Sequence, residues 1–122
     1  MKIRHYWIVL LLLLPINAAG GDDKSLQRFI VHIETGDNWD QSLQPAEQAK
    51  FSEHSANMKR LRTEGRILFG ARYGEYGLLI IQVESLASAK AILDADPGVL
   101  AGTFTYRIEP VSIFYPWKVA DN

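Results

Sequence analysis

His54 and Asp96 are the residues in this 122-residue chain whose types and settings best suit proton chemistry. The run Gln48-Ala49-Lys50-Phe51-Ser52-Glu53-His54 reads as helix and brings His54 into register with Phe51, Met58 and Leu61. Far along the chain, a second helix starting near Ser85 ends at Asp96-Pro97. Imidazole titrates near neutral pH and can serve as general base or acid. A carboxylate within reach would fix its tautomer and orientation. Each residue also has a plainer use. An inward histidine can simply bond a carbonyl, and Asp-Pro is a common turn dipeptide. The catalytic and structural readings of the pair both stand at this level.

Other polar residues offer less. Asn38 and Trp39, with Asp40, lie in a loop before the first helix, and either a lid over the core or a substrate-facing wall would suit them. We take Asn38 and Trp39 as candidate substrate-binding residues. Ser85 resembles a nucleophile only in isolation, since a helix N-cap explains it fully. His32, in the first strand, reads as structural. Beyond the first twenty residues there are two histidines, no cysteine and no H-x-x-x-H spacing, so no metal site is expected. The chain has no P-loop, no G-x-G-x-x-G and no G-x-S-x-G, so neither a nucleotide cofactor nor acyl-enzyme chemistry is expected.

The elements that must position these residues follow from periodicity. Gln27 to Glu34 alternates, with Phe29, Val31 and Ile33 opposed to Ile30, His32 and Glu34, as a strand does. Thr35 to Asp40 is a turn-rich loop. Pro45 suits a helical first turn, and the helix is expected to run to about Glu64, with Gly65 closing it. Arg66 to Arg72 and Leu78 to Glu84 read as strands joined by a Tyr73–Gly77 turn. The run Leu78-Leu79-Ile80-Ile81 suggests burial on both faces. Ser85 opens a short helix that stops before Pro97. Phe104 to Phe114 reads as the last strand.

The order βαββαβ predicts an α+β, ferredoxin-like fold with a four-stranded antiparallel sheet. Two helices cover only one sheet face. Apolar residues such as Ile30, Leu68, Ile81 and Tyr106 fall on both faces, so the helix-free face calls for a partner. A homodimer through that face is the expectation.

Residues 1–20 stand apart. Lys2 and Arg4 precede an apolar run from Trp7 to Ile16, about the ~7–15 residues of a secretory signal, and Asn17-Ala18-Ala19-Gly20 supplies small residues for cleavage after Gly20. The run is shorter than the ~20 residues of a membrane span. We therefore expect a signal peptide at 1–20, one domain at 21–122, no stable membrane span after cleavage, and a periplasmic or secreted location. Cleavage leaves eleven basic against fourteen acidic residues and a net charge of −3. That balance argues against nucleic acid as a partner. The basic cluster Lys59, Arg60, Arg62 and Arg66 reads as a solvated helix face.

Several stretches together carry a resemblance. Thr35-Gly36-Asp37-Asn38-Trp39-Asp40, Gln48 through His54 with Leu61 and Gly65, Ser85-Leu86 with Ala89, and Asp96-Pro97-Gly98-Val99-Leu100-Ala101-Gly102 resemble the YCII-related family, of the dimeric α+β barrel type. The resemblance implies a ferredoxin-like protomer that pairs into a barrel, with a pocket beside the histidine and aspartate, often taken as an acid/base pair. Those positions are His54 and Asp96 here. Members often carry Gly-Pro after the second strand, where this chain has Gly70-Ala71. The expected function is an exported small-molecule enzyme of lyase or isomerase type, free of cofactors and acting on a small, aromatic or lactone-like compound. The alternative is a non-catalytic ligand-binding or structural dimer. A cofactor-free monooxygenase would rest on analogy of fold alone.

Overall fold

The computed structural model describes residues 25–117, so the expected signal peptide at 1–20 lies outside the described residues. The elements are β1 (Gln27–Thr35), α1 (Phe51–Thr63), β2 (Ile67–Tyr73), β3 (Tyr76–Val83), α2 (Leu86–Asp94), α3 (Pro97–Leu100) and β4 (Phe104–Pro110). The strands form one antiparallel sheet in the order β2-β3-β1-β4. This is the ferredoxin-like arrangement. The sheet is open, with β2 and β4 at its edges.

The core lies between the sheet and the helices. Phe29 and Val31 of β1, Ile67 of β2, and Ile81 and Val83 of β3 meet Leu61 of α1 and Ala89 and Leu93 of α2. The strand alternation and the α1 stripe thus do what their periods require. Ser85 caps α2 by accepting a hydrogen bond from the Ser88 backbone N–H at 3.1 Å.

Directly paired residues share a sheet face. Ile30, Phe69, Tyr73, Tyr76, Leu78 and Ile80 therefore lie on the face away from the helices, together with His32. Ile81 and Tyr106 belong to the covered face instead. Leu68 sits at a register shift between Ile67 and Phe69, a bulge that moves Phe69 to the open face. His32 Nδ1 bonds the Tyr73 hydroxyl, and its ring lies 4.7 Å from that of Tyr76.

Three local expectations are corrected. The first helix is not continuous from Pro45. Pro45–Glu47 forms a single 3-10 turn, and Lys50 takes a left-handed φ of 61°, so α1 begins only at Phe51. Gln48 explains the break. Its buried side chain accepts from the Asp40 N–H at 2.9 Å and donates to the Asp40 and Leu43 carbonyls, bracing the loop. Pro97 does not merely end a helix. It opens the extra α3, in the first-turn position where its missing N–H costs nothing. Finally, β4 ends at Pro110 rather than Phe114. Proline cannot donate to the ladder, and Phe114, Tyr115 and Trp117 are exposed.

Candidate active site

Asp96 is fully buried, and its place is set by the start of α3. Its side chain caps that helix, with Oδ2 accepting the backbone N–H groups of Gly98 at 3.0 Å and Val99 at 3.2 Å. The same oxygen lies 2.7 Å from His54 Nδ1, and Oδ1 accepts from the Asn57 side-chain amide at 2.8 Å. Burial alone would raise the Asp96 carboxyl pKa. The hydrogen bonds from His54 and Asn57, the His54 charge and the Val99 N–H together outweigh it and hold the value below the ordinary 3.8. Asp96 is therefore an anion with its lone pairs committed to fixed donors.

Gly98 makes the close approach possible. A Cβ there would stand 2.7 Å from Phe104 Cδ2, 3.0 Å from His54 Cβ and 3.1 Å from Asp96 Oδ2. The Asp-Pro-Gly order is thus a cap, a first-turn residue and a space for the α1 side chains. Thr103 ties the same region to the start of α1, its buried hydroxyl donating to the Ala49 carbonyl at 2.6 Å.

His54 projects from the first turn of α1. Its ring packs on Phe104, with centroids 4.4 Å apart, and Nδ1 is directed to Asp96. With the carboxylate accepting at Nδ1, the neutral ring carries its proton there and presents a lone pair at Nε2. Nε2 has no hydrogen-bond partner among the described residues. The ring lines an open cavity of about 710 Å³ between α1, the β2–β3 hairpin, the Trp39 loop and Phe104.

The structure brings His54, Asp96 and Trp39 into one region. Trp39 lines the cavity, its ring 5.8 Å from Phe104. Asn38 is turned elsewhere. Its side chain donates to the Ala101 carbonyl at 2.9 Å and its backbone N–H to the Gly102 carbonyl, so it ties the loop to the segment before β4. Asn57, Phe104 and Arg72 are absent from the sequence-based candidates. The signal for Asn57 was available, since it sits three residues after His54 on the same helix face. Phe104 joins the site only through the sheet, and no spacing announces it. Among the described residues no group of three or more His, Cys, Asp and Glu side chains is placed to hold a metal ion.

The profile of the YCII-related domain matches residues 29–112, more than half of the chain. The chain belongs to the YCII-related family. The matched stretch runs from β1 to just past β4 and contains both His54 and Asp96. No curated protein matches the sequence. Fold and family membership therefore agree with the resemblance carried by the Thr35–Asp40 and Asp96–Gly102 segments.

Proposed function

We propose that this YCII-related protein is an exported small-molecule enzyme of the lyase or isomerase type. The observation that carries the reading is the His54–Asp96 pair, 2.7 Å apart, with Nε2 unengaged at a cavity wall. Nε2 takes a proton from a carbon acidified by a neighbouring carbonyl. Asp96 holds the imidazolium that forms. The proton then returns to a different carbon in an isomerisation, or passes on as a leaving group departs in a lyase step. No cofactor is invoked. Trp39, Phe51 and Phe104 supply apolar walls that suit an aromatic or lactone-like compound.

The proposal includes a homodimer. Among the described residues no helix covers the face bearing Ile30, Phe69, Tyr73, Tyr76, Leu78 and Ile80, and a second copy of the sheet would bury it. It also includes export, on the order of charge, apolar run and small residues in residues 1–20.

One observation favours a second reading, a non-catalytic binding or structural dimer. Asp96 also caps α3 and holds Asn57, so the pair serves as a staple between α1 and α3 whatever else it does. Thermal-shift screening of small acids, lactones and phenols against the mature protein and His54→Ala separates the two. The enzyme reading expects a hit that is converted by wild type and left unchanged by the variant. Hits that stabilise both proteins alike and are never converted would overturn it.

A further inference from the structure

Six arginines lie among the described residues, and five of them have partners. Arg28 donates to the Gln82 side chain at 3.2 Å, Arg60 meets Glu64 at 2.8 Å, and Arg62 donates to the carbonyls of Ile67 and Leu68. Arg66 pairs with Glu64 at 3.5 Å and Arg107 with Glu34 at 3.3 Å. The Arg72 side chain has neither a hydrogen bond nor an ion pair among the described residues. Among the described residues it is also the only lysine or arginine along the His54 cavity.

Its position follows from the sheet. Arg72 pairs with Gly77 in the β2–β3 ladder, two residues on from Gly70 opposite Leu79. The alternation puts Arg72 on the face that carries Ile33 and Leu79, the face toward α1. Gly77 places no side chain across from it, which leaves room for the long arginine stem. Two carboxylates share the lining, Glu34 and Glu75. Glu34 is engaged by Arg107, and Glu75 makes no ion pair with Arg72 within 4.0 Å.

A guanidinium without a partner, beside aromatic walls, matches the chemistry of an anion carried on a flat apolar body. We propose that Arg72 is the anion anchor of the His54 cavity and that its ligands are small carboxylic acids with an aromatic or unsaturated ring. The planar guanidinium takes the carboxylate through paired N–H donors, which an ammonium cannot reproduce. The ring of the acid lies along Trp39, Phe51 and Phe104, and the reacting carbon faces His54 Nε2. This rests on the reading of the cavity as the substrate site and names the substrate class for it.

The test is calorimetric titration of the mature protein with benzoate and with its uncharged analogue benzamide. Benzoate should bind saturably at millimolar concentration or below, more weakly as salt is raised, and benzamide should bind at least about tenfold more weakly. Arg72→Met should weaken benzoate at least about tenfold and leave benzamide unchanged, with Arg72→Lys in between. Arg72 is exposed and without partners, so these variants should keep the wild-type melting temperature. Equal binding of the two probes, benzoate binding unchanged in Arg72→Met, or no saturable benzoate binding would each overturn the assignment. The outcome separates from that of the acid/base reading. Carboxylate binding that needs Arg72, with conversion indifferent to His54, would leave the anchor standing and remove the catalysis. Conversion of an uncharged compound that needs His54 and ignores Arg72 would do the reverse.

Discussion

His54 Nδ1 lies 2.7 Å from Oδ2 of Asp96, although the two residues are 42 positions apart in the chain, one on α1 and the other at the cap of α3. The contact spans α1 and the cap of α3, and Asp96 has no exposed surface. A buried anion with four donors around it is costly to disturb, and that cost can be measured.

Replacing Asp96 by Ala removes an N-cap worth about 1 kcal/mol and leaves Asn57 and His54 without their acceptor. We expect a loss of about 2–4 kcal/mol in urea unfolding. Asp96→Asn keeps the volume and should cost less than Asp96→Ala. Equal stability of wild type and Asp96→Ala would mean that the carboxylate does not hold α3 to α1.

The same carboxylate gives a pH signature. Its folded pKa lies below the unfolded value of 3.8, so the unfolded chain binds the proton more readily. The stabilisation is therefore fully present above that unfolded value and is lost as pH falls through the folded one. The stability difference between wild type and Asp96→Asn should shrink as pH falls below 3.8. A difference that grew as pH fell below 3.8 would contradict the sign.

Gly98 should tolerate no side chain. A Cβ would press on Phe104 and His54 at once, and overpacking of this kind costs about 1–3 kcal/mol. Gly98→Ala should melt lower than wild type and shift the His54 ring resonances. Unchanged resonances would show that the neighbours yield freely.

The helix-free face predicts a dimer. A sheet-to-sheet interface should bury about 1,200–2,000 Å² in total. Light scattering at micromolar concentration should report two copies, and Phe69→Asp, at a half-exposed position of that face, should shift the population to monomer. A wild-type monomer under those conditions would leave the face unexplained.

Much of this was legible in the sequence because periodicity is local. Phe29, Val31 and the Phe51–His54–Met58–Leu61 stripe announced their faces, and the order of elements then allowed one familiar sheet. His54 and Asp96 could be paired in expectation because the ferredoxin-like order lays both helices on one side. The rest depended on contacts that no period encodes. Gln48 sits where a helix seemed to continue, yet its side chain is used to hold the Asp40 loop. Two of the three donors on Asp96 Oδ2, the Gly98 and Val99 N–H groups, arise from the α3 turn, which Pro97 hid by reading as a stop. Asn38 looked like a ligand residue because it neighbours Trp39, but adjacent residues in a loop point apart, and its side chain goes to Ala101.

Nitrogen-15 NMR of the His54 ring, recorded where the ring is neutral, tests the central claim most directly. A base held by Asp96 must carry its proton on Nδ1 and present a bare Nε2, the tautomer that a free histidine side chain favours less. We predict that tautomer in the wild type, a shift of the Nε2 resonance when a ligand fills the cavity, and loss of the Nδ1–H preference in Asp96→Asn. A ring protonated at Nε2, indifferent both to ligand and to the Asp96 substitution, would contradict the account.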